Sequence, residues 1–314
     1  MEHLYGLYKT KSNRHLMSKP AQELSNEMRV MLHLGAHKTA STHFNRTLRR
    51  NKPLTQKNNI AVPKKDAIRA LVTRRLMDMD METARALQDD VLADLLDGQD
   101  TMFLSDENIL GTSVHLFSEN QMYHTAAWRV KRATQILGQD GVELMLAVRN
   151  PADFLVSAYG ETIRSYGYVA FRDYLDGTPV AELSWTKLVR RLMRASGGRP
   201  MTVWTYENYH DTLPQLMNMV LGQPMTNPVD YTPIDEIVRP GLSQRAIDEI
   251  QHACEVETAD TEQISFEDIV KAYPKSADCP APDPWTAGER MVIDTMYRRD
   301  LRKIANMDGV TFLG

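Results

Sequence analysis

The chain has 314 residues, enough for one large or two modest domains with a full hydrophobic core. Its net charge of −4, with acids and bases well mixed, excludes a global attraction to nucleic acid, so any anion binding has to be local. Two cysteines without metal-ligand spacing, no apolar run of membrane-spanning length, and a polar start unlike a signal peptide lead to the expectation of a reduced, cytoplasmic protein.

Residues 1–27 read as a loosely held arm, either a frayed terminus or a cap on a second copy in a homodimer, ahead of a single domain over 28–314. Val30 to Leu34 is an apolar run that predicts a short buried strand, and Gly35 turns it into a loop rich in hydrogen-bond donors. Ser41 and Thr42 suit the first residues of a helix that buries Phe44 and Leu48 and turns Arg46, Arg49, Arg50 and Lys52 largely outward. A strand, a tight loop and a helix N-terminus bring free backbone N–H groups and the positive end of the helix dipole to one place, which is an anion site. Lys38 adds a full positive charge to it. The spacing is not that of the ATPase loop G-x-x-x-x-G-K-[ST], because Lys38 follows Gly35 by three residues with no second glycine before it. The plainer alternative is a strand-to-helix turn with a surface lysine.

Further on, Asn59 to Pro63 reads as a weak strand, and helical periodicity follows over Ile68, Leu71, Val72 and Leu76 and again over Leu87 to Leu95. A strand over Thr101 to Leu104 ends in Ser105-Asp106-Glu107-Asn108. Acids beyond the carboxyl end of a strand are active-site candidates in an open α/β sheet, with helix capping as the alternative. After a helix from Thr125 to Leu137, the run Val142 to Val148 is nearly all apolar, as a central parallel strand covered on both faces requires. It ends at Arg149-Asn150-Pro151, where Asn150 can cap the next helix and Pro151 suits its first turn. Arg149 therefore stands at a strand end, with Ser157 two turns into the helix. A guanidinium fork and a hydroxyl suit a phosphate monoester; a structural ion pair is the other reading. Gly160 to Tyr168 is a wall or lid candidate or a plain helix end. Helices over Phe171–Leu175 and Leu183–Ala195, a strand from Met201 to Tyr206 followed by Glu207, a Pro-rich loop from Pro224 to Pro240, and a last helix from about Ala287 to Ile304 complete the α/β alternation.

Gly35-x-x-Lys38-x-Ala40-Ser41-Thr42 resembles the 5′-phosphosulfate loop of sulfotransferases that use 3′-phosphoadenylyl sulfate (PAPS). Arg149 with a serine eight residues later resembles the 3′-phosphate segment of the same family, and the two come in the family's order. The resemblance implies a three-layer, P-loop-like α/β fold with a central, mostly parallel sheet flanked by helices. It implies transfer of a sulfuryl group from PAPS to a hydroxyl or amine of a glycan, lipid headgroup, small metabolite or peptide tyrosine, with no metal and no nucleic-acid partner. Gly35, Ala36, His37, Lys38, Thr39, Ala40, Ser41 and Thr42 would form the 5′-phosphate cradle, with Lys38 meeting the leaving-group charge. Arg149 and Ser157 would hold the 3′-phosphate, Arg239 would close a C-terminal loop over the nucleotide, and Glu207 would be structural. The family usually has glycine where this chain has Ala40, so a positive φ there would strain the loop by about 1 kcal/mol. Glu107 and His37 are the candidates for the base that takes the acceptor's proton. His33, His37 and His43 are spread apart by strand and helix directions and predict no metal site. A P-loop nucleoside or small-molecule kinase and a non-catalytic nucleotide-binding relative are the competing readings.

Overall fold

Six strands run parallel in one sheet in the order β2-β3-β1-β6-β7-β8, in a computed structural model of the chain. It describes residues 28–314 except 79, 81, 84–87, 115, 139–140, 236–240 and 257–264. The arm over 1–27 and the candidate Arg239 lie outside the described residues.

The strands are β1 (Arg29–His33), β2 (Ile60–Ala61), β3 (Thr101–Ser105), β6 (Val142–Val148), β7 (Met201–Thr205) and β8 (Val310–Leu313). β4 (Phe117–Ser118) and β5 (Gln121–Met122) form a separate antiparallel hairpin. The register sets Leu32 of β1 level with Leu104 of β3 and Leu144 of β6, so apolar rows cross the sheet. Strand alternation then sends two sets of side chains to opposite faces. Val30, Leu32, Leu144 and Leu146 meet α2 (Ala126–Ile136), α3 (Pro151–Tyr166), α4 (Trp185–Ala195) and α6 (Ala287–Ala305). Met31, Phe103, Met145, Ala147 and Trp204 meet α1 (Ser41–Arg50) and α5 (Tyr209–Val220) on the other face. The result is a helix–sheet–helix sandwich, the three-layer α/β architecture the sequence predicts.

Local chemistry accounts for where the helices begin. Asn150 accepts the Ala152 N–H at 3.0 Å with Pro151 behind it, and Ser184 caps α4. Thr286 and Glu289 form a reciprocal capping box on α6. The stretch after β2, read as one helix, is broken by a π turn at Arg69–Thr73; Ile68, Val72 and Leu76 remain its buried face. Among the described residues no helix is long and apolar enough to cross a membrane.

The chain builds β1, β2 and β3 toward one edge of the sheet, then crosses to β6, β7 and β8 on the other side of β1. The direction of winding reverses between β1 and β6, and ligands in open α/β sheets lie beyond the carboxyl ends of the strands at that point. The loops that leave β1 and β6 are the two singled out in the sequence.

Candidate active site

The loop between β1 and α1 is built from left-handed turns. Gly35, Lys38 and Ala40 take φ of 48°, 59° and 64°. At Gly35 an added Cβ would stand 3.1 Å from Ser41 Cβ, so glycine serves both the turn and the close approach of loop to helix. Successive N–H groups in such turns face inward as an anion-binding concavity, and no side chain caps the N-terminus of α1. The loop opens onto a cleft of about 1380 Å³ at the carboxyl ends of the strands. His37, Lys38, Ala40, Ser41 and Thr42 line it, as do Glu107, Arg149 and Ser157. Gly35 and Ala36 lie behind the loop rather than on the cleft wall, and the Thr39 hydroxyl is turned back to donate to the Ala36 carbonyl at 2.7 Å. Arg46, expected to face outward, is exposed but borders the cleft.

Arg149 joins the two junctions. Its Nη1 donates to the Lys38 carbonyl at 2.9 Å, and its guanidinium lies 4.3 Å from the centre of the Tyr206 ring. The strand end is itself anchored: Trp185 donates to the Arg149 carbonyl, and Glu207 accepts both the Asn150 N–H at 2.7 Å and the Tyr297 hydroxyl at 2.8 Å. Glu207 therefore ties β7, α3 and α6 together, in keeping with a structural role.

His37 is enclosed by a network that defines its proton. Its backbone N–H donates to the Tyr123 hydroxyl at 3.0 Å, and that hydroxyl donates in turn to Nδ1 at 2.9 Å. The remaining ring proton is then on Nε2, which donates to Asn108 Oδ1 at 3.3 Å. Burial lowers the pKa of this ring and keeps it neutral. Its lone pair is occupied by Tyr123, so His37 in this arrangement holds the loop rather than offering a free basic nitrogen.

Glu107 is gripped as firmly. Lys65 Nζ lies 2.7 and 2.6 Å from its two oxygens, and Arg69 reaches it at 3.5 Å. Burial, the largest single effect, would raise its pKa, but the Lys65 charge, the nearby His37 ring and the hydrogen bonds from Lys65 and the backbone together outweigh it and hold the carboxyl down at about 2. A carboxylate held so strongly in its ionised form is a weak proton acceptor. Asp106, fully buried, caps the following 3₁₀ turn and receives Arg69 and Thr73, the capping role weighed for it in the sequence.

Between these walls lies an ion pair. Lys38 Nζ is 3.5 Å from Glu161 Oε2, and both side chains are mostly buried. On the β7 side, Tyr206, Tyr209, His210 and Tyr231 give the cleft an aromatic wall. His43 is held there by the Tyr209 hydroxyl and the Ile234 carbonyl, each at 2.8 Å. Among the described residues no group of three His, Cys, Asp or Glu side chains is arranged to hold a metal ion.

Lys65, Arg69, Asn108, Tyr123 and Tyr206 belong to this site and were not singled out for it in the sequence. Glu161 instead falls in the Gly160–Tyr168 stretch read as a wall or lid candidate, of which Glu161, Ser165 and Tyr166 border the cleft. Lys65 and Arg69 carried no motif. Glu161 did leave a trace: it stands four residues after Ser157, on the same face of a helix.

No family model matches the chain, and no curated protein matches it in sequence. Among solved structures it is similar to a sulfotransferase from Alicyclobacillus acidocaldarius, at 17% identity over 66% of this chain and 86% of that one, with a TM-score of 0.40. So loose a likeness carries no residue's role across.

Proposed function

We propose that the chain is a PAPS-dependent sulfotransferase acting on a hydroxyl or amine acceptor, with one catalytic domain over residues 28–314. The observation that carries this reading is the convergence of the Lys38 loop and the Arg149 junction on one cleft at the topological switch point, with Arg149 bonded to the Lys38 carbonyl. The donor set fits a doubly phosphorylated adenosine. An uncapped helix N-terminus behind left-handed turns suits one phosphate, and a guanidinium with the Ser157 hydroxyl suits another. An aromatic wall beside Arg149 offers a base something to stack on.

Bound there, PAPS would supply a sulfuryl group carried on a phosphate leaving group. The loop N–H groups and the hydroxyls of Ser41 and Thr42 hold the 5′-phosphate. The Lys38 ammonium neutralises negative charge as it develops on the bridging oxygen, in a partly dry cleft where such an interaction is stronger than in water. Arg149 and Ser157 hold the 3′-phosphate and so select this nucleotide over ATP. His37, through Tyr123 and Asn108, keeps the loop in its binding geometry.

The test is transfer from radiolabelled PAPS to a panel of methyl glycosides, amines and phenols. The wild-type protein labels at least one class, and Lys38→Ala abolishes labelling while its circular dichroism and unfolding midpoint stay unchanged. Equal labelling by Lys38→Ala and the wild type would remove Lys38 from the chemistry.

A further inference from the structure

The face of α3 toward the cleft repeats every four residues: Asp153, Ser157, Glu161 and Ser165 all border it. Ser157 is assigned to the nucleotide. Glu161, one turn further along, reaches back toward the loop and places Oε2 3.5 Å from Lys38 Nζ. Lys38 and Glu161, 16% and 13% exposed, both still border the cleft, and their 3.5 Å contact is looser than the 2.7 and 2.6 Å bonds by which Lys65 grips both oxygens of Glu107. The two base candidates read from the sequence, Glu107 and His37, are committed elsewhere. Glu107 is clamped by Lys65 and Arg69, and the free ring nitrogen of His37 is occupied by Tyr123.

We propose that Glu161 is the general base of the transfer and that it acts in concert with Lys38. The proposal rests on the sulfuryl-transfer reading of the site. As the acceptor oxygen bonds to sulfur, Glu161 takes that oxygen's proton. The bond from sulfur to the bridging oxygen breaks, and its electron pair stays on the phosphate, where Lys38 meets the charge. Protonation also neutralises Glu161, which releases the ammonium from its pairing with the carboxylate at the moment the phosphate oxygen becomes more negative. One carboxylate thus both removes the proton and times the delivery of Lys38's charge.

The experiment compares wild type, Glu161→Gln and Glu161→Asp in two assays. One is hydrolysis of radiolabelled PAPS, in which water is the acceptor and no other acceptor need be known. The other is calorimetric binding of adenosine 3′,5′-bisphosphate. Glu161→Gln lowers turnover by about 100-fold or more, the range removed with a general base, while binding the bisphosphate as tightly as wild type or more tightly. Glu161→Asp recovers part of the turnover. Glu161→Gln turning over within about threefold of wild type, or losing turnover and nucleotide affinity together, overturns the assignment; the second outcome leaves Glu161 a structural partner of Lys38. A wild-type protein that binds no bisphosphate ends the sulfotransferase reading itself, an outcome distinct from either.

Discussion

Ala40 sits at the entrance of α1 with φ 64° and ψ 16°, a conformation in which its Cβ crowds the backbone. The strain foreseen from the missing glycine is therefore present. Ala40→Gly is expected to stabilise the protein by up to about 1 kcal/mol in urea unfolding, and a destabilised variant would contradict the assignment of strain to this position. A second residue bears on pH. His33 is fully buried against Phe44, Phe103 and Trp204, and burial pushes its pKa down from 6.5 to about 3. It stays neutral in the folded chain but takes a proton in the unfolded chain, so its contribution is complete above pH 6.5 and is lost as pH falls toward 3. Between about pH 7 and about pH 5 this amounts to roughly 2 kcal/mol. His33→Phe, which keeps an aromatic ring in the packing, is expected to lose that much less stability over the same interval. Parallel pH–stability curves for the two proteins would show that His33 does not titrate as described. None of this was legible from His33 in the sequence, because burial of a polar ring depends on neighbours from β3, α1 and β7 that only the fold brings together.

At the scale of elements, what could be read from the sequence followed from apolar runs and caps. β1, β3 and β6 centre on the apolar runs Val30–Leu32, Met102–Leu104 and Leu144–Val148, β7 on Met201, Val203 and Trp204, and α3, with its Asn150 cap and Pro151, carries a strong local start signal. β8 is a short edge strand with alternating burial, and nothing in Val310–Leu313 distinguishes it from a tail until β7 lies beside it. The β4–β5 hairpin turns through Glu119 and Asn120, both at positive φ, without the glycine that usually marks such a turn. That missed hairpin matters, because it leads directly into Tyr123, whose hydroxyl serves both the backbone N–H and the ring of His37. Tyr123→Phe leaves two buried polar groups of the loop without that partner. It is expected to cost about 2 kcal/mol of stability and to weaken nucleotide binding, measured by urea unfolding and calorimetry on the same preparation. Unchanged stability and affinity would mean that the hairpin does not support the loop.

For the whole molecule, the decisive feature is topological. Neither loop motif is strong alone, but the reversal of strand order between β1 and β6 sets the two loops side by side, and Arg149 bridges them through the Lys38 carbonyl. The order of the motifs along the chain hinted at this adjacency. The groups on the opposite wall, Lys65 and Arg69 against Glu107, come from a segment with no motif and become visible only when β3 is placed on the far side of β1. The central claim is that two strand-to-helix junctions bind one adenosine carrying phosphates at both ends. Calorimetric titration of wild type and Arg149→Ala with adenosine 3′,5′-bisphosphate and with ATP tests it most directly. The account predicts that wild type prefers the bisphosphate and that Arg149→Ala weakens it by about tenfold or more, the range of a lost charge-assisted hydrogen bond, with much less effect on ATP. Equal affinity of wild type for the two nucleotides, or an Arg149→Ala variant that binds the bisphosphate undiminished, would contradict it.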